Sequence, residues 1–362
     1  LQRRGPDKSK FKFFLENRLF IFNSILSITG KIDNSSEIYK SRSKKYFLSY
    51  NGEIYNHREL SKEYFRNNDF FKNDSELLIN LFDKINNKVQ IPKIINGMFS
   101  FVVYEKKKER LFFSSDVQGE KRLYKYEDEN CFVLSSTINS ILQYVKKIDL
   151  DHNKLKEYFY TRHLLLLKNT IYKNIEVLEP GNLFEYNLKN FKKKRKKFEN
   201  PLDWIDESEH NRFNKMSEED LIEYFHFLLK DQLKLMIPEV KFGSIASGGI
   251  DSTLQTRMIS SFNKNFSVAT IHHEGKDNIT KNINLFNDYI GKKIQVYNAN
   301  PKKNYFFSKK CIEEISIPFL THDFVGRYQI SNYFKKKKCK VFFCGDGADE
   351  IFGGYELYTS NI

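Results

Sequence analysis

The amino-acid sequence predicts two domains of different fold class: an α+β layered domain, followed by an α/β domain with a parallel sheet. Three observations support this prediction. The first half contains many short segments rich in β-branched or aromatic residues, with a helical segment between them. In the second half, short apolar strands alternate with helix-length segments, which is typical of parallel sheets with right-handed crossovers. A glycine pair, Gly248-Gly249, directly follows one of these strands.

Five segments of the first half have the composition of strands: Arg18–Phe22, Tyr46–Tyr50, Phe99–Tyr104, Leu111–Ser114 and Cys131–Leu134. Residues 75–85 instead carry apolar side chains at helical spacing. Strands joined mostly by short turns, with such a helix between them, predict the layered α+β arrangement.

The composition is that of a folded protein with room for two domains. The chain has 362 residues, 40% of them hydrophobic, and a formal net charge of +14. Its basic runs, 192–197 and 335–338, lack the aromatic or arginine-rich pattern that reads bases, so we expect no specific nucleic-acid partner. No apolar run approaches the ~20 residues of a membrane span, and the first residues lack a signal-peptide core. We therefore expect a cytoplasmic protein without a membrane partner.

The second half follows a basic and polar segment, 189–214, which is predicted to be a linker because it has no core periodicity. Ser217-Glu218-Glu219-Asp220 has the form of a capping box and predicts the start of a helix. The buried stripe of this helix is predicted to be Leu221, Phe225, Leu228, Leu229, Leu233 and Met236. Short apolar strands are then predicted at 242–246, 266–271, 294–297 and 341–343.

The loop around Gly248 and Gly249 has the features of an anion site. Glycines let successive N–H groups turn inward, and a helix beginning near Asp251 adds the positive end of its dipole. Ser247 and Ser252 place hydroxyl groups on either side. No lysine follows the glycines, which argues against a P-loop for a transferred γ-phosphate. The alternative is an ordinary glycine-rich turn between a strand and a helix.

A second loop, Cys344–Tyr355, follows the last predicted strand and holds three acids among five residues: Asp346, Asp349 and Glu350. Acids this close favour a cation between them, and Mg²⁺ fits, because it is usually held by one or two carboxylates and phosphate oxygens. The alternative is a solvated acidic turn.

In the first half, Asn51-Gly52 follows a predicted strand. An amide side chain and an open backbone N–H aimed at one point can form an oxyanion hole. Asn-Gly is also the strongest short signal for a tight turn, and this alternative stays open from the residues alone.

Together these motifs resemble the glutamine-hydrolysing asparagine synthetase family. Ser247–Ser252 is similar to the pyrophosphate loop of N-type ATP pyrophosphatases, and the Cys344–Tyr355 loop to the family's second loop. Five segments resemble a class II glutamine amidotransferase domain in order and spacing: Arg3–Asp7, Glu16–Leu19, Asn51–Asn56, Asn73–Glu76 and Gly97–Phe101. The resemblance implies an N-terminal-nucleophile fold of αββα layers for residues 1–188, the linker at 189–214, and an adenine nucleotide alpha hydrolase-like fold for residues 215–362.

The resemblance also implies roles for single residues of the first domain. Arg18 would hold the α-carboxylate of a substrate glutamine, and Glu53 and Asp74 its α-amino group. Asn51 and Gly52 would form the catalytic oxyanion hole. Asp74 also stands where it could simply cap the following helix.

In the second domain, the resemblance implies an ATP site formed by Ala246, Ser247, Gly248, Gly249, Ile250, Asp251, Ser252, Val268, Cys344 and Gly345. Asp251 and Asp349 would share Mg²⁺, and Asp346 would be a catalytic acid that helps form and resolve an acyl-adenylate. The implied reaction converts aspartate to asparagine, takes nitrogen from glutamine, and releases AMP and pyrophosphate.

One departure from the family pattern concerns the glutaminase nucleophile, an N-terminal cysteine that is absent here. We expect that the chain is truncated at both ends and that the complete gene product begins Met-Cys-Gly or similar. Three alternatives stay open: amidation of a sugar carboxylate in surface polysaccharide synthesis, an ammonia-dependent enzyme, and an inactive or scaffold fragment. A homodimer also stays open.

Overall fold

The computed structural model describes residues 3–31, 35–66, 71–145, 148–161, 164, 166, 168–272, 282–318 and 323–355. The chain divides into two compact units, of which the first comprises Leu1–Met216 with Glu314–Pro318 and the second Ser217–Glu313 with Phe319–Ile362. Within the described ranges, no helix is both long and apolar enough to span a membrane.

The strands of the first unit are β1 (Lys8–Phe14), β2 (Leu19–Ile25), β3 (Tyr39–Lys40), β4 (Tyr46–Ile54), β5 (Gly97–Glu105), β6 (Arg110–Ser115), β7 (Tyr124–Glu127), β8 (Phe132–Ser135), β9 (Ile175–Val177), β10 (Asn182–Asn187) and β11 (Lys193–Lys197). Its helices are α1 (His57–Tyr64), α2 (Asp74–Lys84), α3 (Gln90–Ile94), α4 (Ile138–Tyr144), α5 (His152–Thr161) and α6 (Glu207–Phe213). Short 3₁₀ segments lie at Leu15–Asn17 and Pro201–Trp204.

These strands form three sheets packed in layers. Six antiparallel strands lie in the order β11-β10-β6-β5-β4-β3, β1 pairs with β2, and β7 lies between β8 and β9. One hydrophobic cluster packs α1, α2 and α3 on one face of the six-stranded sheet. A second cluster packs the other face against β1, β2 and β8, and a third packs β7–β9 against α4. The αββα layering implied by the family resemblance is confirmed.

The side chains of β4 alternate between the two hydrophobic clusters that pack on the faces of the six-stranded sheet. Tyr46, Leu48 and Tyr50 belong to the cluster on the α2 side, whereas Phe47 belongs to the cluster on the opposite side. Successive side chains of a strand point to opposite faces, so one strand can fill both layers. Helix α2 covers the predicted helical segment and buries Phe82 against this sheet.

The structure corrects part of the predicted linker. Residues 193–197 form β11, which pairs with β10 at the edge of the six-stranded sheet. All five of its side chains are exposed, so the strand carries no apolar alternation for sequence reasoning to detect. Lysine on an exposed edge strand discourages pairing with other chains.

The second unit contains the strands β12 (Phe242–Ile245), β13 (Ser267–His272), β14 (Ile294–Asn298) and β15 (Val341–Phe343). The remaining helices are α7 (Glu218–Met236), α8 (Ile250–Phe262), α9 (Ile283–Ile290), α10 (Asn304–Ile315), α11 (Asp323–Lys336) and α12 (Ala348–Phe352), with a 3₁₀ segment at Pro301–Lys303. The strand order is β14-β13-β12-β15 and every pair is parallel. The predicted α/β domain with a parallel sheet is confirmed.

Helix α7 begins as predicted, with the Ser217 hydroxyl accepting from the backbone N–H of Asp220 (3.1 Å). Its predicted stripe is wrong in part. Leu233 is buried, but Leu221 and Leu228 are exposed. The apolar spacing was therefore a correct signal for a helix and an incomplete guide to which turns of that helix are covered.

Candidate functional site

A cavity of about 370 Å³ lies in the first unit, where β4 ends and α2 begins. The backbone N–H of Ile54, the last residue of β4, donates to Oδ2 of Asp74 (3.2 Å) and so joins the strand end to the helix start. Four of the five residues predicted to bind glutamine line this cavity: Asn51, Gly52, Glu53 and Asp74.

Asn51 presents an unsatisfied donor here. Its side-chain Nδ2 is buried and has no hydrogen-bond partner among the described residues. Leaving a buried donor unpaired costs about 1–3 kcal/mol, so such a group is expected where a ligand supplies the acceptor. Asn51 and Gly52 both lie inside β4, which excludes the alternative of a tight turn.

Gly52 has no room for a side chain. A Cβ at this position would lie 2.2 Å from the carbonyl oxygen of Met98 and 2.6 Å from Cα of Phe99, both in β5. We expect Gly52→Ala to force β4 and β5 apart and to lower the free energy of unfolding by about 1–3 kcal/mol, the usual cost of overpacking. Urea unfolding measures this effect. An unchanged unfolding midpoint would mean that the two strands do not constrain this position.

Two buried carboxylates face the same cavity. Oε1 of Glu53 accepts from Oγ1 of Thr29 (2.5 Å), and Oδ2 of Asp74 accepts from the hydroxyl of Tyr50 (3.1 Å). Burial raises the pKa of the Asp74 carboxyl above its usual range, although its hydrogen bonds act in the opposite direction. Asp74 is not the helix cap, because the side chain of Asn73 takes that role. Asp74 therefore contributes its carboxylate to the cavity wall and not to a helix cap.

Two cations that sequence reasoning did not select also line the cavity, Arg4 and Lys121. Arg4 belongs to the Arg3–Asp7 motif, but no motif marked Lys121. Arg18, the fifth predicted glutamine residue, does not line the cavity. It is exposed and lies in a left-handed conformation (φ 48°) in the turn between β1 and β2. The geometry therefore does not support a role for Arg18 here.

In the second unit, the predicted anion loop lies at the carboxyl end of β12. Gly248 has a φ of 89°, and Gly249 is the N-cap of α8. The hydroxyl groups of Ser247 and Ser252 lie 2.9 Å apart, and the backbone N–H of Ser247 donates to Ser252 Oγ (3.1 Å). A Cβ on Gly249 would meet only Ser247 Oγ, at 3.6 Å, so the backbone is open for a phosphate group.

The second predicted loop packs directly against the first. A Cβ on Gly345 would lie 3.0 Å from the backbone nitrogen of Ser252 and 3.2 Å from Cβ of Asp251. Gly345 follows β15, the strand that neighbours β12, so both loops lie at the same edge of the sheet. This edge is where parallel sheets bind ligands.

The three acids of the second loop do not have equivalent surroundings. Arg327, in α11, pairs with both oxygens of Asp346, and Nη2 lies 2.7 Å from Oδ1. The thiol of Cys344 donates to Asp346 Oδ2 (3.2 Å). The guanidinium holds the pKa of Asp346 below its usual range. Asp346 is thus engaged by a protein cation, and sequence reasoning missed Arg327 because nothing in the motif points to it.

Asp251 and Asp349 have the chemistry for a magnesium site. Oδ1 of Asp349 would be only 2.0 Å from a Cβ on Gly354, so the glycine makes room for this carboxylate. No group of three or more His, Cys, Asp or Glu side chains in the described ranges could hold a metal by itself. Two carboxylates completed by phosphate oxygens are the usual arrangement for Mg²⁺ with a nucleotide, and Asp251 and Asp349 supply two carboxylates on loops that pack together.

Three of the residues predicted for the ATP site, Ala246, Val268 and Ile250, are not loop glycines, and their side chains differ in exposure. The side chains of Ala246 and Val268 are buried in the core of the second unit, at 0% and 1% exposure. Ile250, by contrast, is 83% exposed at the start of α8. The structure therefore does not bring the Val268 side chain to the open edge of the sheet.

Comparisons with known proteins identify a family for each half of the chain. A model of the glutamine amidotransferase domain matches residues 1–198, and a model of asparagine synthase matches residues 225–361. The chain belongs to the glutamine-hydrolysing asparagine synthetase family. Members of this family are ATP-dependent carbon–nitrogen ligases.

Several family members resemble the chain along nearly its whole length. The putative asparagine synthetase [glutamine-hydrolyzing] 2 of Methanocaldococcus jannaschii is 29% identical, over 99% of this chain and 72% of that protein. Asparagine synthetases 1 and 3 of Bacillus subtilis are 26% and 25% identical, over 99% and 100% of this chain. The chain spans 55% and 60% of the length of these two proteins. Among solved structures, a Bacillus subtilis glutamine phosphoribosylpyrophosphate amidotransferase covers 85% of this chain and 72% of that one at 11% identity, with a TM-score of 0.32.

Proposed function

We propose that this chain acts as an asparagine synthetase, which uses ATP and glutamine to convert aspartate to asparagine and releases AMP and pyrophosphate. The observation that carries the proposal is the close packing of Gly345 against Asp251 and Ser252. It joins a loop suited to pyrophosphate with a loop that carries carboxylates, at the ligand-binding edge of a parallel sheet.

In the first unit, a nucleophile would attack the amide carbon of glutamine, the bond from that carbon to nitrogen would break, and ammonia would leave. The residues of the cavity would bind and orient the substrate for this step. Glu53 and Asp74 would bind the ammonium group of the substrate, because both are buried carboxylates on the cavity wall. Nδ2 of Asn51 would donate to the amide oxygen as that oxygen gains negative charge. One such donor is typically worth roughly 100- to 1000-fold in rate.

The second unit would activate the acceptor carboxylate. A carboxylate oxygen of the acceptor attacks the α-phosphorus of ATP, the α–β phosphate bond breaks, and pyrophosphate leaves into the Ser247–Ser252 loop. Ammonia then attacks the acyl carbon, the bond to AMP breaks, and the nitrogen loses a proton. Asp346, held by Arg327, would lie beside this reaction at the loop edge.

We also propose Mg²⁺ as the cofactor, held by Asp251 and Asp349 together with phosphate oxygens. When bound, it would neutralise charge on the departing pyrophosphate. A cytoplasmic location is part of the proposal, since Cys131, Cys311, Cys339 and Cys344 form no disulfide bond, which suits a reducing compartment.

The test is an acceptor screen with ammonium chloride as the nitrogen source, in which pyrophosphate release is followed. We expect release that depends on aspartate and yields asparagine. If pyrophosphate release depends instead on a sugar carboxylate, such as a hexuronic acid, that sugar is the acceptor in place of aspartate. No release with any acceptor would contradict the proposal.

A further inference from the structure

We propose that Lys121 binds the α-carboxylate of glutamine in the cavity of the first unit. The inference rests on the proposed function of this unit as a glutaminase. It goes beyond the family resemblance, which assigns this carboxylate to Arg18.

The charges of the cavity wall match a free amino acid. Glutamine carries its ammonium and its carboxylate on the same carbon, so a site for it needs an anion and a cation side by side. Glu53 and Asp74 supply the anions, and Lys121 lines the same cavity. The charge of Glu53 favours the ionised form of the Lys121 ammonium. A carboxylate bound to Lys121 would thus place the neighbouring ammonium toward Glu53.

The position of Lys121 is fixed by the backbone around it. Its N–H donates to Oδ2 of Asp116 (3.0 Å), and the same oxygen accepts from the N–H of Phe99 in β5 (3.2 Å). Asp116 is buried, so this junction ties the Lys121 segment to the strand that pairs with Gly52. The lysine stem therefore starts from a rigid point beside the oxyanion residues.

Lys121 is also the cation of this wall that lacks a protein partner. Its ammonium makes no hydrogen bond or ion pair within the described part of the chain, whereas Nη1 of Arg4 is occupied by the carbonyl oxygen of Ser136 (2.9 Å). Lys121 is partly buried, and desolvation, with Arg4 nearby, lowers its pKa, although the charges of Glu120, Asp116 and Glu53 act in the opposite direction. A substrate carboxylate would relieve this unpaired charge.

The test compares two ligands on the full chain by titration calorimetry: L-glutamine, and L-glutaminamide, whose α-carboxylate is replaced by a neutral amide. We expect the unmodified protein to prefer glutamine. Lys121→Met should reduce the ratio of the two affinities, glutamine over glutaminamide, to near one, a loss of roughly 10- to 100-fold. Lys121→Arg should restore most of it, because the cation returns. Lys107→Met, in the exposed turn between β5 and β6, is the matched control and should change nothing.

The outcomes separate the inference from the proposed function. If the unmodified protein binds no glutamine, the proposed glutaminase function fails. If it prefers glutamine and Lys121→Met keeps that preference, the inference is overturned, and Arg4→Met and Arg18→Met in the same assay identify the true cation. A thermal unfolding midpoint for Lys121→Met that matches the parent excludes misfolding, and Lys121→Gln provides a second neutral variant.

Discussion

Asp251→Asn is expected to lower ATP-dependent pyrophosphate release roughly 100-fold or more at saturating ammonium and acceptor. The residue lies in the first turn of α8, and Gly345 of the second loop packs against it. Asparagine keeps the shape but removes the charge that Mg²⁺ requires. The measurement is the rate of pyrophosphate release over a magnesium titration, in which higher magnesium should restore part of the rate.

Stability should change little in this variant, because Asp251 is partly exposed. Loss of its interaction with the helix dipole costs about 0.3–1 kcal/mol. Asp288→Asn, on the exposed side of α9, is the matched control and should keep the parent rate. A parent rate in Asp251→Asn as well would remove Asp251 from the magnesium site.

Asp74→Asn is expected to weaken glutamine binding without lowering the stability of the first unit. Burial raises the folded-state pKa of Asp74, so the folded state holds its proton more tightly than the unfolded state does. The free energy of unfolding therefore falls as pH rises from the unfolded pKa through the folded one, and the ionised form costs stability at neutral pH. Asparagine removes this cost and still offers an oxygen to Tyr50 and Ile54.

We therefore expect Asp74→Asn to unfold at an equal or higher urea concentration at pH 7, while its glutamine affinity falls roughly 10- to 100-fold. Calorimetric titration with glutamine, beside urea unfolding, checks both results. The control is Asp149→Asn, whose side chain is 82% exposed and which should change neither quantity. A large loss of stability together with the loss of binding would mean that Asp74 is structural.

The sequence predicted those parts of the molecule whose signal is local. Helix α2 and strand β4 were predictable because their apolar residues repeat with the period of a helix or a strand. The loop at Gly248 was predictable because a left-handed residue next to a helix start calls for glycine. These features need no knowledge of distant residues.

The features that were missed depend on contacts made after folding. Arg327 meets Asp346 across 19 residues, and the segment that carries Lys121 is joined to β5 through the hydrogen bonds of Asp116. Strand β11 was missed because its charged residues are exposed throughout. Arg18 is placed by the turn of the β1–β2 hairpin, which a motif alone does not describe.

The central claim, that the second unit activates a carboxylate through an adenylate, is tested most directly with an oxygen label. Aspartate carrying ¹⁸O in its carboxyl groups is incubated with the protein, ATP, Mg²⁺ and ammonium chloride, and the nucleotide products are analysed by mass spectrometry. The account predicts AMP containing one ¹⁸O atom, formed in equal amount with pyrophosphate and asparagine. ADP and inorganic phosphate, or AMP without the label, would contradict it.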